Sequence, residues 1–250
     1  MPVANLQSYR TVALRVKSTA FAAQGQARFL EASVLQKLRQ QCGFEQVGQD
    51  PKSDVVIDLN ITQSGRGSGG ALINTNVATI DTLLVLSDGV DGELLGTLRI
   101  HGKSSGLIIN NAPPENEVVE IIAKTVVDTL AKSGCGGPRI AKVEKTPVDP
   151  GPGPTTGPVD ETKRAEAEAL NTAGKEKLYG ADTAGALAAF QQANQLIPDA
   201  RYEFNICLTL VAQEQYPTAQ AACQRARGLN PEPKLAAKID QRLELLAQRK

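Results

Sequence analysis

Residues 186 to 198 read ALAAFQQANQLIP, and residues 219 to 231 read AQAACQRARGLNP. Both stretches place Ala, Phe or Cys, Ala and Pro at spacings of 4, 3 and 5, and the second follows the first after 33 residues. Small residues at helical intervals with this period predict stacked helix-turn-helix units, which bury their apolar faces against one another. Two such units expose a groove, so the repeat predicts a surface that binds polypeptide.

The first copy, Ala167 to Pro198, resembles the tetratricopeptide (TPR) family. Gly174 stands at the family's close-contact position and Phe190 at its aromatic position, while the terminal proline ends the second helix for want of an N–H donor. The second copy departs from the family where Leu208 replaces this glycine, and the neighbouring Cys207 is a small residue that allows the helices to approach. The amphipathic segment 234–250 then predicts a capping helix.

The TPR resemblance implies a partner-binding groove on the first helix of each repeat. Asparagine at one such position holds the backbone of an extended ligand, since its amide offers a donor and an acceptor together. An alternative is that this face is solvated or covers the other domain. The predicted groove residues are Asn171, Lys175, Leu178, Tyr179, Tyr202, Asn205, Thr209 and Gln213.

A spacer is predicted between two domains. Thr146 to Pro158 contains five prolines and three glycines and has no apolar periodicity. Such a segment buries too little surface to offset its ordering entropy. We therefore expect an N-terminal domain at 1–145, a linker at 146–159 and a helical domain at 160–250.

The N-terminal part alternates strand and helix patterns, which predicts an α+β fold. We expect a mixed or antiparallel sheet with both helices on one face, because one helix follows the first strand and the other comes last. The predicted strands are Thr11–Val16, Phe44–Val47, Asp54–Gln63, Val77–Leu86 and Glu93–Lys103, with a loop at Ser64–Gly70, a turn at Asp88–Gly92, and helices at Gln24–Gln41 and Glu115–Lys132.

This order of elements, with the stretches YRTVALRV, DVVIDLNIT and LVLSDGVDGELLGTLRIHG, resembles small bacterial envelope lipoprotein modules. These are related to the curli-secretion lipoprotein and to the N-terminal domain of the translocation protein TolB. The resemblance covers nearly all of residues 8 to 135 and implies a non-catalytic accessory domain in the periplasm or at the outer membrane.

The four cysteines divide into two pairs, one in each predicted domain. Cys42 and Cys135 follow the ends of the two N-terminal helices, so a disulfide is predicted between them if these helices run side by side. Cys207 and Cys223 lie on facing helices of the second repeat and either form a disulfide or pack as two buried thiols. Two such pairs favour an oxidising compartment.

Composition excludes several classes of function. The 27 basic and 27 acidic residues argue against a nucleic-acid surface, and no apolar run is long enough to span a membrane. His101 is the only histidine and no C-x-x-C motif occurs, so no metal or cofactor is expected. No nucleophile accompanies this histidine, and the glycine-rich stretch 65–70 lacks the lysine and the helix of a phosphate loop. We therefore expect no enzymatic activity.

The chain is thus predicted to be a non-catalytic scaffold that holds protein or peptide partners in a bacterial envelope assembly, whether secretion, appendage, motility or cell-wall machinery. Its first ten residues lack the pattern of a signal peptide. We expect a periplasmic or outer-membrane-associated protein, either lipid-anchored or soluble, whose signal lies outside this chain. Its membrane contact, if it has one, would be through a lipid anchor at the processed N-terminus. The alternative is a cytoplasmic TPR adaptor or co-chaperone with reduced cysteines.

Overall fold

The computed structural model describes residues 4–20, 23–48, 52–68, 76–105, 113–135 and 161–248, so the predicted linker at 146–159 lies outside the described residues. Within these ranges the chain forms a sheet region followed by a helical region, in agreement with the predicted α+β class. The sheet region contains β1 (Thr11–Ser18), α1 (Gln24–Gln41), β2 (Gln46–Gly48), β3 (Val55–Ser68), β4 (Asn76–Asp88), β5 (Leu94–Lys103) and α2 (Pro114–Lys132). The helical region contains α3 (Glu161–Tyr179), α4 (Thr183–Leu196), α5 (Ala200–Ala212), α6 (Tyr216–Gly228) and α7 (Pro233–Ala247).

The sheet is mixed, with the strand order β2-β1-β3-β4-β5. β1 pairs in parallel with β2 and β3, whereas β3, β4 and β5 pair antiparallel. Parallel pairing of β1 with β2 requires a crossover connection, and α1 supplies it. The last three strands form a meander, whose β4–β5 turn is the predicted one.

Two strand predictions differ from the structure. The residues 64–68 continue β3 and pair with β4 as far as Asn76, although the glycines and serines there predicted a loop. The long antiparallel strand β4 forms backbone hydrogen bonds that do not depend on the side chains. This pairing overrides the low strand propensity of the glycines and serines. The second strand is β2 at Gln46–Gly48, two residues later than predicted at its start.

One face of the sheet packs against α1 and α2, as predicted. The inward side chains of β3 alternate along the strand, and Val55, Ile57, Leu59 and Ile61 are fully buried against these helices. α1 and α2 each contribute an apolar stripe, which includes Leu38 of α1 and Val126 of α2. Burial of this stripe is what holds the two helices on the sheet, at about 25 cal/mol per Å² of apolar surface.

The helical region covers the opposite face of the sheet. The predicted fold placed helices on one face only. Leu83, Val85 and Leu94 point away from α1 and α2 and pack into one apolar cluster with helical residues such as Phe204 and Leu208. In addition, the Thr97 hydroxyl donates a 2.7 Å hydrogen bond to the carbonyl oxygen of Leu208. The sheet is therefore the middle layer of three.

Both cysteine pairs form disulfides in the structure. Cys42–Cys135 joins the ends of α1 and α2 with a Cα–Cα distance of 5.0 Å, and Cys207–Cys223 joins α5 to α6 at 5.3 Å. They close loops of 93 and 16 residues, for which the chain-entropy model expects about 4 to 5 and about 3 kcal/mol of stabilisation. Each bond lies within one region, so neither holds the two regions together.

The helical region packs as successive neighbours, α3 on α4 and α5 on α6, with α7 against α6. In the first pair Gly174 faces the ring of Phe190, and a Cβ atom at this glycine would lie 2.6 Å from the ring. Thirty-three residues after Phe190 stands Cys223, whose disulfide partner Cys207 is the small residue predicted to replace the glycine contact. A covalent bond thus occupies, in the second pair, the place of an aromatic contact in the first.

We expect Gly174→Ala to lower the free energy of unfolding by about 1 to 3 kcal/mol, because the new methyl group must displace a fully buried phenylalanine ring. The matched control is Gly228→Ala at the end of α6, where the added methyl meets nothing within 4 Å and the stability should be unchanged or rise by up to about 1 kcal/mol. Urea denaturation of both variants checks this. Equal stabilities for the two would contradict the close-contact role of Gly174.

Candidate functional site

The turn between β4 and β5, residues 88–94, is held firmly by the sheet region. The Asp88 side chain accepts a 2.9 Å hydrogen bond from the backbone N–H of Val90, and the Gly89 N–H donates to the Asp54 carbonyl at 2.8 Å. A side chain at Gly89 would collide with the Ser53 carbonyl, so the turn requires glycine there. We call residues 88–94 the hairpin tip.

The hairpin tip and the helical region enclose a pocket of about 340 Å³. Its volume falls at the small end of the range of ligand sites. The sheet region supplies one wall and helices α3, α5 and α7 supply the rest. The lining residues are Asp91, Glu93, Leu94, Glu168, Asn171, Thr172, Lys175, Arg201, Phe204, Asn205, Leu235 and Lys238.

Two asparagines from equivalent positions of α3 and α5 meet in the wall of this pocket. The Nδ2 of Asn205 donates a 2.8 Å hydrogen bond to the Oδ1 of Asn171. This bond leaves Nδ2 of Asn171 as a donor and Oδ1 of Asn205 as an acceptor for other groups. A donor beside an acceptor is the complement of one peptide unit, with its C=O and N–H.

The carboxylates of the pocket are each paired with a cation. Arg201 bonds to Glu168 at 2.5 Å, Lys238 to Glu93 at 2.5 Å, and Lys234 to Asp91 at 3.3 Å. The last two pairs join α7 to the hairpin tip, so they also tie the helical region to the sheet region.

Lys175 differs from these cations. Within the described residues it forms no ion pair and no hydrogen bond, although it lies half-buried in the pocket wall. Burial lowers the pKa of Lys175, while the charges of Glu93 and Asp91 act in the opposite direction. The Lys175 ammonium has no ionic partner, whereas the nearby carboxylates are already ion-paired. The pocket therefore favours a ligand with an anionic group.

Of the eight predicted groove residues, Asn171, Lys175 and Asn205 lie in the pocket. Leu178 and Tyr179 lie instead under the sheet. Leu178 is fully buried in the cluster that covers the second sheet face. The backbone carbonyl of Tyr179 accepts a 2.9 Å hydrogen bond from the side chain of Asn60, and its hydroxyl donates to the carbonyl of Gly92 at 3.2 Å.

The remaining three predicted groove residues also lie outside the pocket lining. Tyr202 is buried between helices with Ala167 and Ala193. The hydroxyl of Thr209 is buried and donates to the carbonyl of Asn205, while the Gln213 side chain donates to the carbonyl of Thr183 at 3.1 Å. These side chains support the helices, so the open groove expected from the sequence is reduced to a pocket.

Neither the hairpin tip nor α7 was predicted at this site. Asp91 was interpreted only as a turn residue and α7 only as a capping helix. One signal was present, since the acidic pair Asp91 and Glu93 is complemented by Lys234 and Lys238, which stand four residues apart on one helix face. Opposite charges alone do not identify which helix contacts which turn, so the pairing of α7 with the hairpin tip could be assigned only from the structure.

No group of three or more His, Cys, Asp or Glu side chains among the described residues is arranged to hold a metal ion. None of the helices described is both long enough and apolar enough to cross a membrane.

No protein-family model and no curated protein matches this chain. Solved structures with similarity to it include a Xanthomonas campestris protein of the DUF330 family (15% identity, 54% of this chain and 90% of that chain, TM-score 0.41). Others are the PelC dodecamer from Paraburkholderia phytofirmans (11% identity, 51% and 92%, TM-score 0.40) and a lipoprotein from Neisseria meningitidis (14% identity, 49% and 98%, TM-score 0.34). At these scores the likeness assigns no function.

The ion pair between Glu93 and Lys238 should contribute to holding the hairpin tip on α7. Burial of Glu93 disfavours its charged form, but the hydrogen bond and charge of Lys238 outweigh burial and hold the pKa of Glu93 below its usual 4.5. The stabilisation is therefore present above pH 4.5 and is lost as the pH falls through the lowered pKa. In a double-mutant cycle of Glu93→Gln and Lys238→Met we expect a coupling energy of about 1 kcal/mol at pH 7.

Urea unfolding at pH 7 and at pH 3 measures this coupling, which should shrink at the lower pH. The matched control is the cycle of Arg227→Met and Asp240→Asn, an exposed pair within the helical region at 2.8 Å, whose coupling should be near zero. Equal coupling in both cycles would contradict the role given to Glu93.

Proposed function

We propose that this chain is a non-catalytic scaffold of the bacterial envelope that holds a polypeptide segment in the pocket between its hairpin tip and its helical region. The observation that carries the proposal is the Asn171–Asn205 amide pair in the pocket wall, with the unpaired Lys175 one helical turn after Asn171 on α3. Amides bind a peptide backbone and the ammonium selects an acidic group beside it. The ligand we propose is therefore an extended segment with an Asp, a Glu or a terminal carboxylate.

The helical region is, in this proposal, a TPR module of two repeats and a cap. Support comes from the packing of α3 with α4 and of α5 with α6, and from the close approach of Gly174 to Phe190. The asparagines of the pocket occupy equivalent places in the two repeats, 34 residues apart.

A binding role fits the pocket better than a reaction. Its lining carries amides, lysines, one arginine, carboxylates and apolar groups, and no serine, cysteine or histidine is among the lining residues. The one hydroxyl of the lining, on Thr172, donates to the backbone carbonyl of Glu168 at 2.9 Å. Each carboxylate is ion-paired with a cation, and none has a serine, cysteine or histidine beside it in the lining that it could activate. Such a set positions a ligand and offers no activated nucleophile.

An envelope location is supported by the disulfides. All four cysteines are paired in the structure, one pair in each region. Structural disulfides persist in oxidising compartments such as the bacterial periplasm and are rare in the cytosol. We therefore propose that the chain acts in the periplasm or at the outer membrane.

The pocket proposal predicts a photo-crosslink that depends on the amide pair. A benzophenone amino acid at Thr172, an exposed lining position, should form adducts with a partner protein in the native host. The double change Asn171→Ala and Asn205→Ala should reduce these adducts about tenfold, since both backbone contacts are lost. Removing both partners leaves neither amide of the pair unsatisfied, and circular dichroism verifies the fold.

Two controls sharpen this test. Lys175→Gln should weaken adducts with a partner segment that carries an acidic group, which sequencing of the adduct identifies. Benzophenone at Gln192, exposed on α4 and outside the pocket lining, should give adducts that the asparagine changes do not affect. Undiminished adducts from Thr172 in the double variant would rule the pocket out as the binding site.

The envelope location predicts a thiol count. Protein isolated from its native host under acid quenching should contain no free thiol before reduction and four after it, because both disulfides form in an oxidising compartment. Maleimide mass labelling measures this directly. Four free thiols before reduction would instead support the cytoplasmic adaptor with reduced cysteines.

A further inference from the structure

The single histidine of the chain lies between two carboxylates that belong to different regions. The Nδ1 of His101 on β5 lies 2.9 Å from Oδ1 of Asp81 on the neighbouring β4. Its Nε2 lies 3.1 Å from Oε1 of Glu214, in the turn between α5 and α6. One contact is thus internal to the sheet, while the other crosses from the sheet to the helical region.

This geometry requires a proton on each ring nitrogen. An ionised carboxylate only accepts hydrogen bonds, whereas a neutral imidazole has one donor and one acceptor nitrogen. Both contacts are therefore satisfied together only by the imidazolium ion. When the imidazole is neutral, one nitrogen lone pair faces a carboxylate oxygen and that contact becomes repulsive.

We propose that His101 is a proton-dependent clasp, which strengthens the docking of the helical region on the sheet when its imidazole is protonated and weakens it when the proton is lost. The pocket shares this dependence because its walls come from both regions. Acidification assembles the pocket and a rise in pH loosens it. The clasp does not rest on the proposed function, since it concerns docking whether or not a ligand is bound.

The charged groups around His101 set the direction of the effect. Its hydrogen bonds to Asp81 and then to Glu214 raise its pKa above the usual 6.5, against partial burial. Arg99 and Lys103 flank it on the same face of β5 and oppose protonation. A raised pKa in the docked state means that the added stability is fully present below pH 6.5 and is lost as the pH rises through the raised value.

The other charged links between the regions do not titrate in this window. Burial of Lys234 is outweighed by the charges of Glu93 and Asp91, which raise its pKa. Burial of Glu93 is outweighed by Lys238, which lowers its pKa, so Lys234 and Glu93 both keep their charge between pH 5 and 8. Hydrophobic packing of Leu83, Val85 and Leu94 also does not change with pH. A change in docking between pH 5.5 and 8 therefore reports the clasp.

Proton NMR of the full-length protein gives the first test, because one histidine yields one Hε1 signal. Its titration midpoint should lie above 6.5 and should fall in Glu214→Gln, which removes the contact across the interface. The control Asp240→Asn changes an exposed carboxylate paired with Arg227 elsewhere in the helical region and should leave the midpoint unchanged. Equal midpoints in the wild type and Glu214→Gln would overturn the proposal.

The second test measures docking itself. Fluorophores on azide-bearing residues at Gln40 of α1 and Gln192 of α4, both exposed, report energy transfer between the regions without using a cysteine. The ratio of docked to undocked molecules should fall about two- to fivefold from pH 5.5 to 8, the range for one exposed charge pair. In His101→Gln, which keeps a neutral donor, this change should vanish. The proposal would be overturned if docking of the wild type did not depend on pH, or if the His101→Gln variant showed the same pH profile as the wild type.

Discussion

The burial of the second sheet face is the constraint on which the rest of the molecule depends. Leu83 and Val85 in β4 and Leu94 in β5 face away from α1 and α2, and without the helical region they would lie open to water. Their apolar surface is what brings the two regions together. Because the cluster lies beside the hairpin tip, docking of the helices places that tip against α3, α5 and α7.

This packing converts a repeat surface into a composite site. The sequence predicted an open groove on the helical pairs. Docked on the sheet, that groove loses Leu178 and Tyr179 to the interface, and the amide pair of Asn171 and Asn205 is left beside the hairpin tip. The pocket is therefore smaller than the predicted groove, and the hairpin tip adds acidic groups to it.

The interface itself combines apolar and ionic contacts of different kinds. Hydrophobic contacts act at any pH, and the lysine pairs of α7 act over the neutral range. His101 alone among these contacts has an ordinary pKa near neutrality. Since both disulfides lie within single regions, no covalent bond of the described residues prevents the two regions from separating.

The sequence determined most of the local structure of this protein. Periodicity located α1 at its observed bounds and α2 to within one residue, the small-residue repeat located the helical pairs, and the position of cysteines after helices indicated one disulfide. These features depend on residues close together in the chain, whose spacing determines which of them lie on the same face of a helix or strand. The candidate amides Asn171 and Asn205 were found in the same way, because they repeat at a fixed period.

Only the tertiary structure decided what covers each face. The run Leu83-Leu84-Val85-Leu86 is apolar without alternation, which is typical of a strand buried on both faces, but the run does not name the element that covers it. The contacts of Glu93 with Lys238 and of His101 with Glu214 join residues 145 and 113 positions apart. Such contacts follow from how two packed layers meet, and spacing along the chain carries no information about that arrangement.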